Sequence, residues 1–150
     1  MRKFAEHPQA VKNLGAYISF LRALAFIQQN DHWEVKSSGF YGDHLLMQRL
    51  YETTLDNIDA ISEKGIGLFG QDCVDLGAQI TLIKTIIDEY KAQKPLERSL
   101  AAVKSFLQIS TKTYEDMKKN GDMTLGLDDL ILSIHSDQET AVYLLQQSLG

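Results

Sequence analysis

The sequence has one cysteine, Cys73, and two prolines among its 150 residues. A single cysteine excludes an internal disulfide framework and a thiolate zinc cluster, and it fits a reducing, cytoplasmic compartment. Two prolines and 10 glycines leave long stretches without a breaker, which favours long helices over many short strands. No run of 18 apolar residues occurs, and the opening "MRKFAEHPQAVK" lacks the apolar centre of a secretory signal. Neither a membrane span nor a Sec signal is expected. An excess of basic charge is also missing. With Lys+Arg 15 against Asp+Glu 20, the net charge of -5 does not attract nucleic acid or an anionic bilayer. "GIGLFG" at 65–70 has no following Lys-Ser/Thr, so it is not a phosphate loop, and no nucleophile elbow is present.

What is present is helical periodicity in a chain of single-domain size, 1–150. Leu14, Ile18, Leu21 and Ala25, with Tyr17 and Leu24 beside them, predict a first helix over about 9–36, and His32 continues the same stripe. "SSG" at 37–39 breaks it. A second helix is predicted from Tyr41 or Gly42 to Lys64, with Leu46, Leu50, Leu55, Ile58 and Ile61 inward and the glycines of 65–70 as its stop. Residues 71–94 carry a β-branched run. A lone strand there would have no partner, so a short helix within 72–84 and an irregular connection are expected. Pro95 opens a third helix along Leu96, Leu100, Val103, Leu107, Ser110, Tyr114 and Met117. "KKNGD" ends it, and a fourth helix follows over about 124–147 with Leu127, Leu130, Ile134, Ala141 and Leu145 inward. The expected fold is all-α: a four-helix bundle with a short helix in one long crossover between the second and third helices, which is ferritin-like connectivity.

The chemistry-bearing residues cluster in the first half. His32 and His44 flank the first turn. Asp59 and Glu63 stand i and i+4 on the second helix and share a face suited to a hard or borderline cation. His44 and Asp59, fifteen residues apart on one helix, are about 22 Å apart at about 1.5 Å per residue. Ligands of one metal lie within roughly 2–2.6 Å of it, so one chain cannot bring this histidine and this aspartate to one ion. Fifteen steps return the helix to within about 60° of its starting direction. An antiparallel copy related by a two-fold axis would therefore set its carboxylates over these histidines, and would build the site twice. Each residue alone also fits a plainer role, a histidine as a helix cap and a carboxylate as solvated surface charge.

Taken together, His32, Trp33, Val35, Lys36, Phe40, His44, Tyr51, Asp59, Glu63 and Lys64 resemble the signature of the Dps family. These are the mini-ferritins, iron-storage and DNA-protection proteins of starved cells. The likeness continues more loosely to "NGDMTLGLDDL". It implies a hollow shell of twelve subunits built from two-fold dimers, and a ferroxidase site with two irons at each intersubunit position. His32 and His44 would be ligands from one subunit and Asp59 and Glu63 from the other, with Trp33 a nearby electron donor. Fe(II) and hydrogen peroxide would be the reactants and a ferric mineral the product, with zinc competing for the ligands. A shell without catalysis, structural or DNA-coating, is the alternative.

Two positions depart from the pattern. Gln48 stands where many members carry an acidic residue, so the second iron position is expected to be weak. Tyr143 is the nearest counterpart of a late tryptophan. Asp122 and Asp128 are the pore candidates, although carboxylates near a helix start also stabilise it. His135 and Glu139, with Glu63 or Glu89, offer an intrasubunit alternative, but the chain has no Glu-x-x-His. His7 fits no pattern. Only Arg2 and Lys3 are basic before residue 9, and "LLQQSLG" at the other end has no basic residue, so DNA binding is not expected.

Overall fold

The structure, a computed structural model, describes residues 6–36 and 38–150. Five α-helices make up almost all of it: α1 (Pro8–Glu34), α2 (Phe40–Phe69), α3 (Leu76–Tyr90), α4 (Pro95–Lys119) and α5 (Leu125–Leu149). A single 3-10 turn, Gln71–Val74, precedes α3, and no strand occurs among the described residues. Position 37, within the expected "SSG" break, and the basic pair Arg2 and Lys3 lie outside the described residues.

Four of the helices form the bundle. α1 packs on α2 and α4, and α5 packs on α4 and α2, so α1 lies diagonal to α5 and α2 to α4. Contacts at the ends fix the directions. His7, just before α1, meets Phe69 at the end of α2 at a tilt of 55°, with ring centres 5.7 Å apart. Arg98, in the first turn of α4, bonds Asp31 in the last turn of α1. The chain thus leaves α2 at one end of the bundle and enters α4 at the other. The crossover has to run the length of the bundle, and α3 does so along α1. This is the ferritin-like arrangement with one long crossover.

α1 is the central helix. It buries residues on nearly every side, from Ala10 to His32. It is long and apolar enough to cross a bilayer, with a mean hydropathy of 1.3 over its best window, but 67% of that window is buried inside the bundle, as in a core helix. Tyr17 and Phe106 meet edge to face at 5.2 Å at the centre of the core.

Four expectations need correction. α1 ends at Glu34 rather than 36, with Val35 extended (φ -55°, ψ 135°). α2 runs five residues past Lys64, through Gly65 and Gly67 to Phe69, and stops at Gly70, whose φ of 100° favours glycine. Gly65 is a close-packing point, since a Cβ there would lie 3.4 Å from Leu14 Cδ1 and 3.5 Å from Cys73 Sγ. The crossover helix spans Leu76–Tyr90, longer than a short helix within 72–84, because Asp75 caps it by accepting from Ala78 N at 2.9 Å while Ile86 and Tyr90 are buried. Leu55 is 47% exposed rather than inward, and the buried positions of α4 include Ser99, Ala102, Val103, Phe106, Ser110 and Met117, with Leu96, Leu100, Leu107 and Tyr114 half-buried.

Candidate metal centre

The α1–α2 hairpin brings His32 and His44 face to face. Their rings stack at 3.6 Å with planes 17° apart. His32 Nδ1 donates to the carbonyl of His44 at 2.7 Å, and His44 Nδ1 donates to the carbonyl of His32 at 2.7 Å. A carbonyl only accepts, so each Nδ1 carries the hydrogen and each neutral ring keeps its lone pair on Nε2. That is the tautomer a metal-binding imidazole needs, oriented by a backbone bond on its other nitrogen. Phe40 stacks on His44 at 5.1 Å, and Tyr51 meets His32 edge-on at 5.4 Å. These rings leave the pair little freedom to turn. His32 is buried and His44 half-buried, so the pair sits at the surface with aromatic backing.

Asp59 and Glu63 stand one turn apart on α2, both exposed, and neither makes a hydrogen bond or ion pair among the described residues. Asp59 lines a groove of about 680 Å³ between α1, α2 and the crossover, with Ile18, Arg22, Leu55, Val74 and Leu76. Glu63 lines the next groove, of about 730 Å³ between α2 and α5, beside Lys64, Asp129 and Ser133. α2 is continuous from Phe40 to Phe69, so the histidine end and the carboxylate end stay apart within one chain. Among the described residues no three His, Cys, Asp or Glu side chains gather in one place. The four expected ligands fall into two separate pairs: histidines held by each other's backbone, and carboxylates free of partners among the described residues.

The other expected residues fall as follows. Trp33 follows His32 on α1 and is 64% exposed. Gln48, one turn after His44, donates to Glu52 at 3.0 Å. Tyr143 is exposed on α5. Asp128 is half-buried and accepts from Tyr114 Oη at 3.2 Å. Asp122 is buried and bonds His7 Nδ1 at 2.7 Å, tying the start of α1 to the α4–α5 turn. His135 bonds Ser110 Oγ at 3.0 Å, and Glu139 is exposed. The buried hydrogen-bonded group that joins α1, α2 and α5, where an intrasubunit centre would need carboxylates, is uncharged. Gln138 Nε2 donates to Thr54 Oγ1 at 3.1 Å and to Asn57 Oδ1 at 3.0 Å, and Thr54 Oγ1 donates to Gln28 Oε1 at 2.8 Å.

Sequence reading missed one cluster beside the histidines. Asp31 is fully buried. Arg98 Nε donates to its Oδ1 at 2.8 Å, Arg98 Nη2 donates to the same oxygen, and Ser99 Oγ donates to Oδ2. Burial pushes the Asp31 carboxyl up to about 6, while the bonds from Arg98 and Ser99 and the Arg98 charge hold the rise back. The available signal was a charge on each of two otherwise apolar helix faces, since two such charges require one another.

No family model matches the sequence. General stress protein 20U of Bacillus subtilis is 27% identical over 128 residues, 81% of this chain and 83% of that protein. Among solved structures, Dps from Thermosynechococcus elongatus superimposes with a TM-score of 0.80 at 16% identity, covering 98% of this chain and 94% of that one. An archaeal Dps homologue from Halobacterium salinarum gives 0.77 at 17% identity over 95% and 79% of the two chains. DpsC from Streptomyces coelicolor gives 0.75 at 20% identity over 94% and 83%. At these identities the shared property is the fold: the chain has the ferritin-like bundle architecture of these structures.

Proposed function

We propose that this chain is a Dps-family ferroxidase and iron-storage protein, with iron as its substrate and its oxidation site shared across a two-fold subunit interface. The observation that carries this reading is the reciprocal hydrogen bonding of His32 and His44, which leaves Nε2 as the lone-pair nitrogen on each of two stacked rings. The partner-free carboxylates of Asp59 and Glu63, out of reach in the same chain, supply the complementary half. Imidazole and carboxylate together suit Fe(II), and carboxylate suits the Fe(III) product. The apolar groove around Asp59, with Leu55, Leu76 and Ile80 exposed near it, offers surface that a second copy would cover. The exposed Trp33 and Tyr41 at the histidine end are suitable occupants.

In this reading the histidines would hold Fe(II) from one side and Asp59 and Glu63 from the other. Two Fe(II) each lose one electron. Hydrogen peroxide takes both electrons with two protons and leaves as two waters, so no one-electron radical product is released. Trp33, next to His32, is placed in sequence to supply an electron when only one iron is bound. The ferric product grows as mineral inside a twelve-subunit shell in the cytoplasm, with Asp128 and Asp122 near the entry pore. Asp122 would act there only with His7 displaced, since the two are bonded. Zinc competes for the same ligands. DNA coating is not part of this reading, because assembly multiplies the net charge of -5.

Replacing both His32 and His44 with Gly tests it. Peroxide-driven Fe(II) oxidation should slow by more than about tenfold while light scattering still reports the closed shell. Unchanged kinetics in an intact assembly would leave the non-catalytic shell as the better account.

A further inference from the structure

We infer that Arg98, through Asp31 and Ser99, is the positioning device that holds the last turn of α1, and with it His32, in metal-binding register. The inference rests on the reading of His32 as a ligand.

Arg98 joins three segments. Its Nε and Nη2 reach Asp31 in α1, and Nη2 also reaches Glu34 Oε2 at 2.5 Å. Its Nη1 donates to the carbonyls of Lys91 at 3.1 Å and Gln93 at 3.2 Å, the turn that closes the crossover. Ser99 takes the second oxygen of Asp31, so both carboxylate oxygens are occupied and the side chain is fully buried. Asp31 is the residue before His32, and its carbonyl accepts from Val35 N at 3.0 Å, closing the end of the helix. The same turn carries the His32 carbonyl that His44 Nδ1 uses. A shift of this turn therefore moves one ligand ring and also the acceptor that orients the other.

Burying an ion pair is not needed to fill this space. Apolar side chains of similar size often give equal or better stability. What a forked guanidinium adds is direction, with several bonds of fixed geometry from one rigid plane. Neither residue contacts the Nε2 side of the histidines, so the role is positioning and not catalysis.

The test is the double variant Asp31→Leu/Arg98→Met in the full assembled protein, with Zn(II) as the probe in calorimetry and Fe(II) oxidation alongside. The expected result is a retained assembly, Zn(II) binding weaker by about 10- to 100-fold, and a raised KM for Fe(II). A purely structural role would lower the active fraction, and so kcat, without moving Zn(II) affinity or KM. Arg98→Lys, which keeps charge but not the fork, should not restore the affinity. Zn(II) affinity within about twofold of the parent in the double variant would overturn the inference. Should that variant fail to assemble, Ser99→Ala removes one bond only, and unchanged Zn(II) affinity there would overturn it equally. The His32→Gly/His44→Gly protein separates the two levels. If it binds Zn(II) as the parent does, the ligand reading itself falls. If it loses binding and the lock variants do not, only the positioning role falls.

Discussion

A shared site makes an arithmetic prediction that an intrasubunit site does not. Take one variant, His32→Gly/His44→Gly, and a second, Asp59→Asn/Glu63→Gln. The carboxylates are exposed and unpaired, so the second change removes charge without leaving a buried gap. Each variant alone should be close to inactive. α2 is unbroken from Phe40 to Phe69, and His44 and Asp59 stay about 22 Å apart along it. A two-fold pair containing one chain of each kind has one position built from the second variant's histidines and the first variant's carboxylates, all intact. Its other position has neither. Random equimolar mixing makes half of the pairs mixed, and one position in two is intact in each. The mixed shell should therefore recover about one quarter of the parent rate. The assay is anaerobic stopped-flow oxidation of Fe(II) by peroxide, at constant total subunit concentration, after co-refolding. A mixed rate equal to the mean of the two separate variants would refute the cross-subunit geometry, however well each variant folds.

Three further outcomes follow from particular residues. Burial, with some help from Asp72, pushes the Cys73 thiol up to about 11 from 9.0. At pH 8 the folded protein should therefore react with a disulfide reagent at least about 100-fold more slowly than the unfolded chain, and a comparable rate would show that the thiol is accessible. A Cβ on Gly67 would meet nothing within 4 Å, so Gly67→Ala should raise unfolding free energy in urea by about 0.5–1 kcal/mol through helix propensity, and a loss would mean the end of α2 does not stay helical. Gln48 is a neutral amide beside the histidine end, so anaerobic Fe(II) soaks should show one strong and one weak iron position. Gln48→Glu should even them out, and equal occupancy in the parent at low Fe(II) would contradict this.

Much of the fold was legible because three helices keep regular apolar spacing. α1 buries the residues its periodicity names, α5 does so except that Ile131 is buried where Leu130 was expected and Leu130 is half-buried, and α4 differs by a small rotation toward Ala102 and Phe106. The end of α2 was not legible. Glycine at 65 reads locally as a stop, but its reason is tertiary, the approach of Leu14 and Cys73. α3 was read too short because β-branched residues cost only tenths of a kcal/mol each in a helix, less than its Asp75 cap and the burial of Ile86 and Tyr90 return. Residue types and spacing singled out the histidine pair and the carboxylate pair as expected ligands. The bonds that orient the histidines depend on how closely two helices approach, which no spacing encodes. His7 had no visible role because its partner, Asp122, lies 115 residues away. Arg98 and Asp31, 67 residues apart, were hidden in the same way.

α2 also acts as a ruler. Its unbroken backbone fixes both how far apart its two ends lie and how they are rotated about the helix axis. Removing one residue between His44 and Asp59 would pull the carboxylates in by about 1.5 Å and swing them round by about 100°, off the face that the proposed shared site requires. Exchanges of side chains along this stretch leave that measure intact, and changes of length do not. The turn at 91–94 carries no such measure, apart from the two carbonyls that Arg98 holds. Lengthening or shortening in a lineage of such chains should therefore collect beside the crossover and be absent from residues 45–58.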